Sequence, residues 1–77
     1  MPRYFFHVED GASGPDQEGC ELAGLSEARE AAAALAGGIL QDGAATFWRG
    51  QPWSVRIVDE AGATVGVVHL AATVAAD

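Results

Sequence analysis

One stretch, Ser26 to Leu40 (SEAREAAAALAGGIL), constrains the fold of this chain more than any other, because it is the only segment with helical periodicity. Ala28, Ala32, Leu35 and Ile39 recur at spacings of four, three and four, which puts them on one helical face. Glu27, Glu30 and Ala34 fall on the other side. Ser26 reads as the N-cap, its hydroxyl accepting from a free first-turn N–H. Arg29 stands where a capping box wants Glu or Gln, so a simple cap is expected. Glu27 and Glu30 bring negative charge to the positive end of the helix dipole. The run Ala31 to Ala34 favours helix but offers little apolar area, so the axis is expected to lie close to whatever it packs on. Gly37-Gly38 costs about 1 kcal/mol per glycine relative to alanine inside a helix. The apolar spacing nevertheless carries across the pair, and the helix is expected over about 26–42, ended by Gly43. The alternative is an end at the pair, with a glycine as left-handed C-cap.

The flanking segments read as strands and turns. Arg3 to Val8 (RYFFHV) is aromatic-rich, with Tyr4, Phe6 and Val8 on one face and Arg3, Phe5 and His7 on the other. Glu9 to Gln17 is turn chemistry, with Asp-Gly, Ser-Gly and Gly-Pro in nine residues. Glu18 to Leu22 reads as a second strand hairpinned to the first. Gly43 to Pro52 reads as loop carrying two large rings, Phe47 and Trp48. These fold back over the core edge or form an exposed aromatic patch. Trp53 to Glu60 alternates, with Trp53, Val55 and Ile57 opposite Ser54, Arg56 and Val58. Glu60-Ala61-Gly62 is a three-residue hairpin loop, with Gly62 at the left-handed position. Ala63 to Leu70 returns. With Asp59 opposite Ala63, Ile57 faces Val65, Val55 faces Val67 and Trp53 faces His69. Val58, Val68, Arg56, Thr64 and Gly66 then share the other face.

These elements predict an α+β fold in the order ββαββ: one four-stranded, mostly antiparallel sheet with a single helix (about 26–42) on one face. Residues 1–77 are expected to form one small domain. A single helix covers only one side of a sheet. Phe5, Val58 and Val68 are therefore expected on the open side and, with Phe47 and Trp48, make the candidate interaction surface. A homodimer is the expected remedy.

Composition narrows the function classes. A chain of 77 residues buries only about 60% of its unfolded surface, which also favours association. The net charge is -7, and the four basic residues, Arg3, Arg29, Arg49 and Arg56, are scattered. This argues against direct nucleic-acid binding and for compatibility with a basic partner. Cys20 is the only cysteine, which fits a reducing cytoplasm. Met1 to Val8 lacks the charged start and long apolar run of a signal peptide, and no run approaches membrane-spanning length. The small residues Ala71 to Asp77 are expected to fray.

Several motifs resemble those of a large family of small uncharacterised bacterial proteins, frequent in alphaproteobacteria. The opening MPRYFFHVEDG is similar to that family's M-P-R-Y-[FY]-F-H strand followed by Asp-Gly. DQEGCEL, Asp16 to Leu22, resembles its D-x-E-G-x-E-L. LSEAREAAAALA resembles its alanine-rich helix, and WSVRIVDEAG, Trp53 to Gly62, its closing W-x-[VI]-x-V-x-D-E-x-G hairpin. The match covers nearly the whole chain, and the Gly37-Gly38 pair departs from it. The resemblance implies a domain of unknown function and adds no chemistry.

The residues themselves offer no strong catalytic constellation. His7, His69 and Cys20 would make three metal ligands only if the first strand lay beside the fourth, and no close-spaced ligand pair supports this. Each histidine reads as a half-buried strand residue with one ring nitrogen bonded. Cys20 as a nucleophile needs a base and an electropositive setting, yet Glu18 and Glu21 flank it. Asp10, Asp16 and Glu18 do not follow calcium-loop spacing and read as turn carboxylates bonding local N–H groups. Gly11 to Gly14 is followed by Pro15, without the lysine or helix of a phosphate loop. The expectation is a cytoplasmic, non-enzymatic interaction module, self-associating through its sheet, with no cofactor, metal or membrane partner and room for an unknown protein partner. The alternative is an acidic inhibitor or antitoxin-like protein on a basic, nucleic-acid-handling partner.

Overall fold

The computed structural model describes residues 1–75. Its elements are β1 (Arg3–Glu9), β2 (Cys20–Glu21), α1 (Leu25–Asp42), a one-turn helix α2 (Ala44–Phe47), β3 (Trp53–Val58) and β4 (Thr64–Leu70). The order is ββαββ, with α2 as an added turn between α1 and β3. The four strands form one sheet in the spatial order β2-β1-β3-β4, every pair antiparallel. Residues 71–75 form no regular element. Ala76 and Asp77 lie outside the described residues.

The glycine pair does not break α1, which runs through it to Asp42 and ends on Gly43, whose N–H donates to the Ile39 carbonyl at 3.0 Å. The start differs from the sequence reading. The N-cap is Gly24, in extended conformation, and Ser26 lies inside the first turn without a capping bond. Glu27 does that work instead, its carboxylate accepting the Ala23 N–H at 2.9 Å. With the cap moved two residues back, Glu27 becomes the third helical residue, the position from which a carboxylate reaches the preceding backbone.

The buried row of α1 is Ala28, Ala32 and Ala36, all 2% exposed or less. Leu35, assigned to this face from the spacing, is 38% exposed. The helix is rotated so that alanine, not leucine, meets the sheet. Along this row only methyl groups lie between α1 and the sheet, with Val55 and Ile57 fully buried beneath, and Leu25 packs on the same cluster at the start of the helix. Tyr4, Phe6, Val8, Trp53, Val65, Val68 and Leu70 complete this side.

The β3–β4 pairing carries a β-bulge that alternation did not reveal. Val58 faces Thr64, and the Asp59 N–H bonds the Ala63 carbonyl at 2.9 Å, in the expected register. Beyond Ile57/Val58 the register slips by one, so Ile57 faces Gly66, Val55 faces Val68 and Trp53 faces Leu70. Val68 therefore joins the helix side, and Val67 and His69 turn to the outer side. Gly66 suits the slip, since a β-carbon there would approach Ile57 Cδ1 to 3.1 Å. Only the one-residue slip sets a glycine opposite that buried isoleucine.

Candidate functional site

The side chains that carry hydrogen-bonding chemistry converge at the β1–β2 loop. Asp10 starts it, accepting from the N–H groups of Ala12 and Ser13 at 2.9 and 2.7 Å and from the Ser13 hydroxyl at 3.0 Å. Those contacts, Ser13 first, hold the Asp10 carboxyl below its ordinary value. Asp16 ends the loop and does more. Its Oδ1 accepts from Glu18 and Gly19, both at 3.1 Å, in a local Asx turn. Its Oδ2 reaches back 10 residues to the Phe6 N–H at 3.1 Å. The Asp16 N–H in turn donates to His7 Nδ1 at 3.0 Å.

This arrangement follows from the brevity of β2. That strand pairs only with Arg3 and Tyr4, which leaves the edge of β1 bare from Phe6 onward. The Asp16 carboxylate takes the place of the missing strand at Phe6. Gly19 lets the chain come in close enough, with φ at +69° and no room for a side chain: a β-carbon would sit 2.7 Å from the Tyr4 carbonyl.

Burial is the largest single influence on the Asp16 carboxyl and raises its pKa. The N–H groups of Phe6, Gly19 and Glu18, with His7, outweigh it and leave the group below its ordinary value of 3.8. A carboxyl held low in the folded state stabilises the fold above its unfolded pKa and loses that contribution as pH falls through the folded value. Asp16→Asn is therefore expected to cost about 1 kcal/mol at neutral pH. Its denaturation midpoint should converge with wild type as pH drops below about 4. A gap that stays constant between pH 7 and pH 3 would show that the ionised carboxylate contributes nothing.

Beside this loop, Arg56 lies opposite His7 on the side of the sheet away from α1. Its Nε donates to Glu9 at 3.1 Å and its Nη1 to the Thr64 hydroxyl at 3.2 Å. A shallow depression of about 240 Å³ opens between Arg56, His7, Glu9 and the loop residues Gly14 and Pro15. Arg3 pairs with Glu21 at 3.4 Å further along. Both ion pairs are about half exposed, so each contributes little to stability.

The structure separates the other sequence candidates. β3 intervenes between β1 and β4, so His7 and His69 stand two strands apart, about 10 Å by sheet spacing, and Cys20 is exposed on β2 at the far edge. Phe5 is half-buried on the outer side, with Val58, only 7% exposed, as its cross-strand partner. Val67, which the sequence reading put on the other side, is 39% exposed there. Phe47 is half-buried and lines a small cleft with Ile39, Leu40 and Trp53. Trp48 is 59% exposed and meets Phe47 edge-on, with centroids 6.4 Å apart. The two rings thus divide the roles left open by the sequence: one turns inward, the other stays out.

Sequence reasoning placed Asp16 in a solvated turn and missed its reach to β1. The visible signal was an Asp three residues before a Gly, just ahead of a strand too short to cover its neighbour.

No helix of the described residues is long and apolar enough to cross a membrane. No group of three His, Cys, Asp or Glu side chains among them is placed to hold a metal ion. No curated protein and no solved structure matches the chain. A family model described as a domain of unknown function, DUF6894, matches residues 3–71. That span runs from the first residue of β1 to just past β4 and takes in the Asp16 loop, the alanine row and the bulged hairpin; the chain belongs to the DUF6894 family.

Proposed function

We propose that this domain is a non-enzymatic interaction module that associates with a second copy of itself through its sheet. The observation that carries the reading is the one-sided covering of that sheet. α1 packs on β3 and β4 from one side, and among the described residues no helix packs on the other, where Phe5 and Val67 stay partly open. The polar groups of the loop support the non-enzymatic half. His7 Nδ1 and both carboxylates of Asp10 and Asp16 are committed to the chain's own backbone or to Ser13. The free, exposed thiol of Cys20 suits a reducing compartment, and we place the protein in the cytoplasm.

The acidic-inhibitor reading draws less support. Its carboxylates would have to face a partner. Those of Glu9, Asp10, Asp16, Glu21, Glu27, Asp59 and Glu60 instead engage arginines or backbone N–H groups of this chain.

Native mass spectrometry at low micromolar concentration, with and without chelator, tests the proposal. The expected result is a dimer of unmodified mass. A monomer at every concentration tried would refute self-association, and a chelator-sensitive mass would refute the absence of a metal.

A further inference from the structure

We infer that the copies join edge to edge, β4 pairing antiparallel with β4 of the second chain, so that one eight-stranded sheet runs through the dimer. This rests on the self-association proposed above only in that two copies associate; the surface it names is the β4 edge, and the outer face around Phe5 stays open in the pair.

The two edges of the sheet differ. On the β2 side the edge is blunted by a two-residue strand, by the Asp16 carboxylate on the Phe6 N–H, and by the Arg3–Glu21 pair. Natural proteins manage exposed edges with devices of this kind. On the other side β4 is seven residues long, TVGVVHL, with no proline, lysine, arginine or carboxylate, and no strand among the described residues pairs with its outer edge. Although the chain carries a charge of -7, none of the formal charge lies on this strand, so two copies meet here without like-charge opposition.

The ladder identifies the free groups. The Phe6 N–H goes to Asp16, hence away from β3. Its partner Ile57 is then in a non-hydrogen-bonded pair with β1 and turns its backbone groups toward β4, at Gly66. Gly66, Val68 and Leu70 therefore bond β3, while Val67 and His69 present N–H and C=O outward.

The helix also fits a second copy. α1 lies over β3 and β4 rather than centrally. A two-fold axis just beyond β4 would be about one strand spacing, 4.8 Å, from a helix above the β3–β4 seam. The two α1 helices would then lie about 10 Å apart, a normal interhelix distance that small side chains permit. Both flanks of α1 offer them: Ala31 and Gly38 on one, Ala33 and Gly37 on the other. A β-carbon at Gly37 or Gly38 would meet nothing within this chain. A neighbouring helix meets only one of these flanks, so it accounts for one glycine of the pair.

Amide hydrogen exchange on the wild-type protein, at concentrations where native mass spectrometry reports dimer and where it reports monomer, tests the inference without mutation. The Val67 and His69 amides should exchange at least about tenfold more slowly in the dimer. Val67→Pro should abolish the dimer while leaving a folded monomer, because that N–H serves no bond within the chain. Phe5→Thr should leave the dimer intact. A dimer in which those two amides stay unprotected, or which survives Val67→Pro and is lost in Phe5→Thr, is a face-to-face dimer and overturns the edge pairing alone. A wild-type protein that is never dimeric overturns self-association itself.

Discussion

Replacing Gly19 with alanine is expected to destabilise the domain by about 3 kcal/mol, lowering the melting temperature by roughly 15 °C. Two costs add. The residue sits at φ +69°, a left-handed conformation that costs a residue with a β-carbon about 1 kcal/mol. The larger part is steric. The new methyl would lie 2.7 Å from the Tyr4 carbonyl oxygen and 3.0 Å from both Arg3 Cγ and Phe5 Cδ1. A backbone carbonyl in a strand cannot swing aside as a side-chain end can, so β1 and β2 must part. A folded domain of this size has roughly 4–12 kcal/mol in hand, which makes the loss a substantial share of the total. Gly62→Ala supplies the control, because Gly62 has φ +85° and nothing within 4 Å of an added β-carbon. Equal melting temperatures for the two variants would mean that the close approach at Gly19 carries no energy.

Ala32→Leu should cost a similar amount, about 3 kcal/mol, at the top of the usual range for overpacking a buried site. Ala32 is fully buried in the cluster that includes Val55 and Ile57, themselves 0% and 1% exposed. Three further heavy atoms there can be accommodated only by lifting α1 off β3 and β4, which would open the contacts of Ala28 and Ala36 as well. Ala34→Leu, on the exposed side of the same helix, should stay within about 0.5 kcal/mol of wild type. Chemical denaturation of the pair distinguishes packing from helix propensity, which weighs slightly and equally against both substitutions. An Ala32→Leu variant as stable as Ala34→Leu would refute close alanine packing.

The helix, the four strands and their ββαββ order were legible because each rests on local chemistry: the alanine run, the aromatic β1, the alternation of β3 and the Gly62 hairpin. The helix's rotation was not. Leu35 and Ala36 are adjacent in sequence, and a periodicity weighted by hydrophobicity favours the larger side chain, whereas close packing chooses the smaller. The β4 register was hidden for a related reason. Val65, Val67 and Val68 make either face apolar, so alternation does not separate the two registers, and the one adopted sets Gly66 opposite Ile57. Of the proposed interaction residues, Phe5 and Trp48 stand where alternation and loop chemistry suggested. Val68 does not, because the bulge moves it. Asp16 was recognised as a turn former, but its bond to Phe6 depends on how little of β1 the two-residue β2 covers, and strand length is the least legible property of a weak strand.

The blunted β2 edge has a consequence for how far assembly can go. A sheet open on both sides can add chains without limit and grow into a fibre. With Asp16 holding the Phe6 amide and β2 ending after two residues, β4 is the longer open edge of this sheet. A two-fold pairing through β4 uses up that edge in both chains at once and presents two blunted edges to the outside. On that pairing the count would stop at two, and the carboxylate that would stop it lies at the opposite edge of the sheet from the contact it would limit.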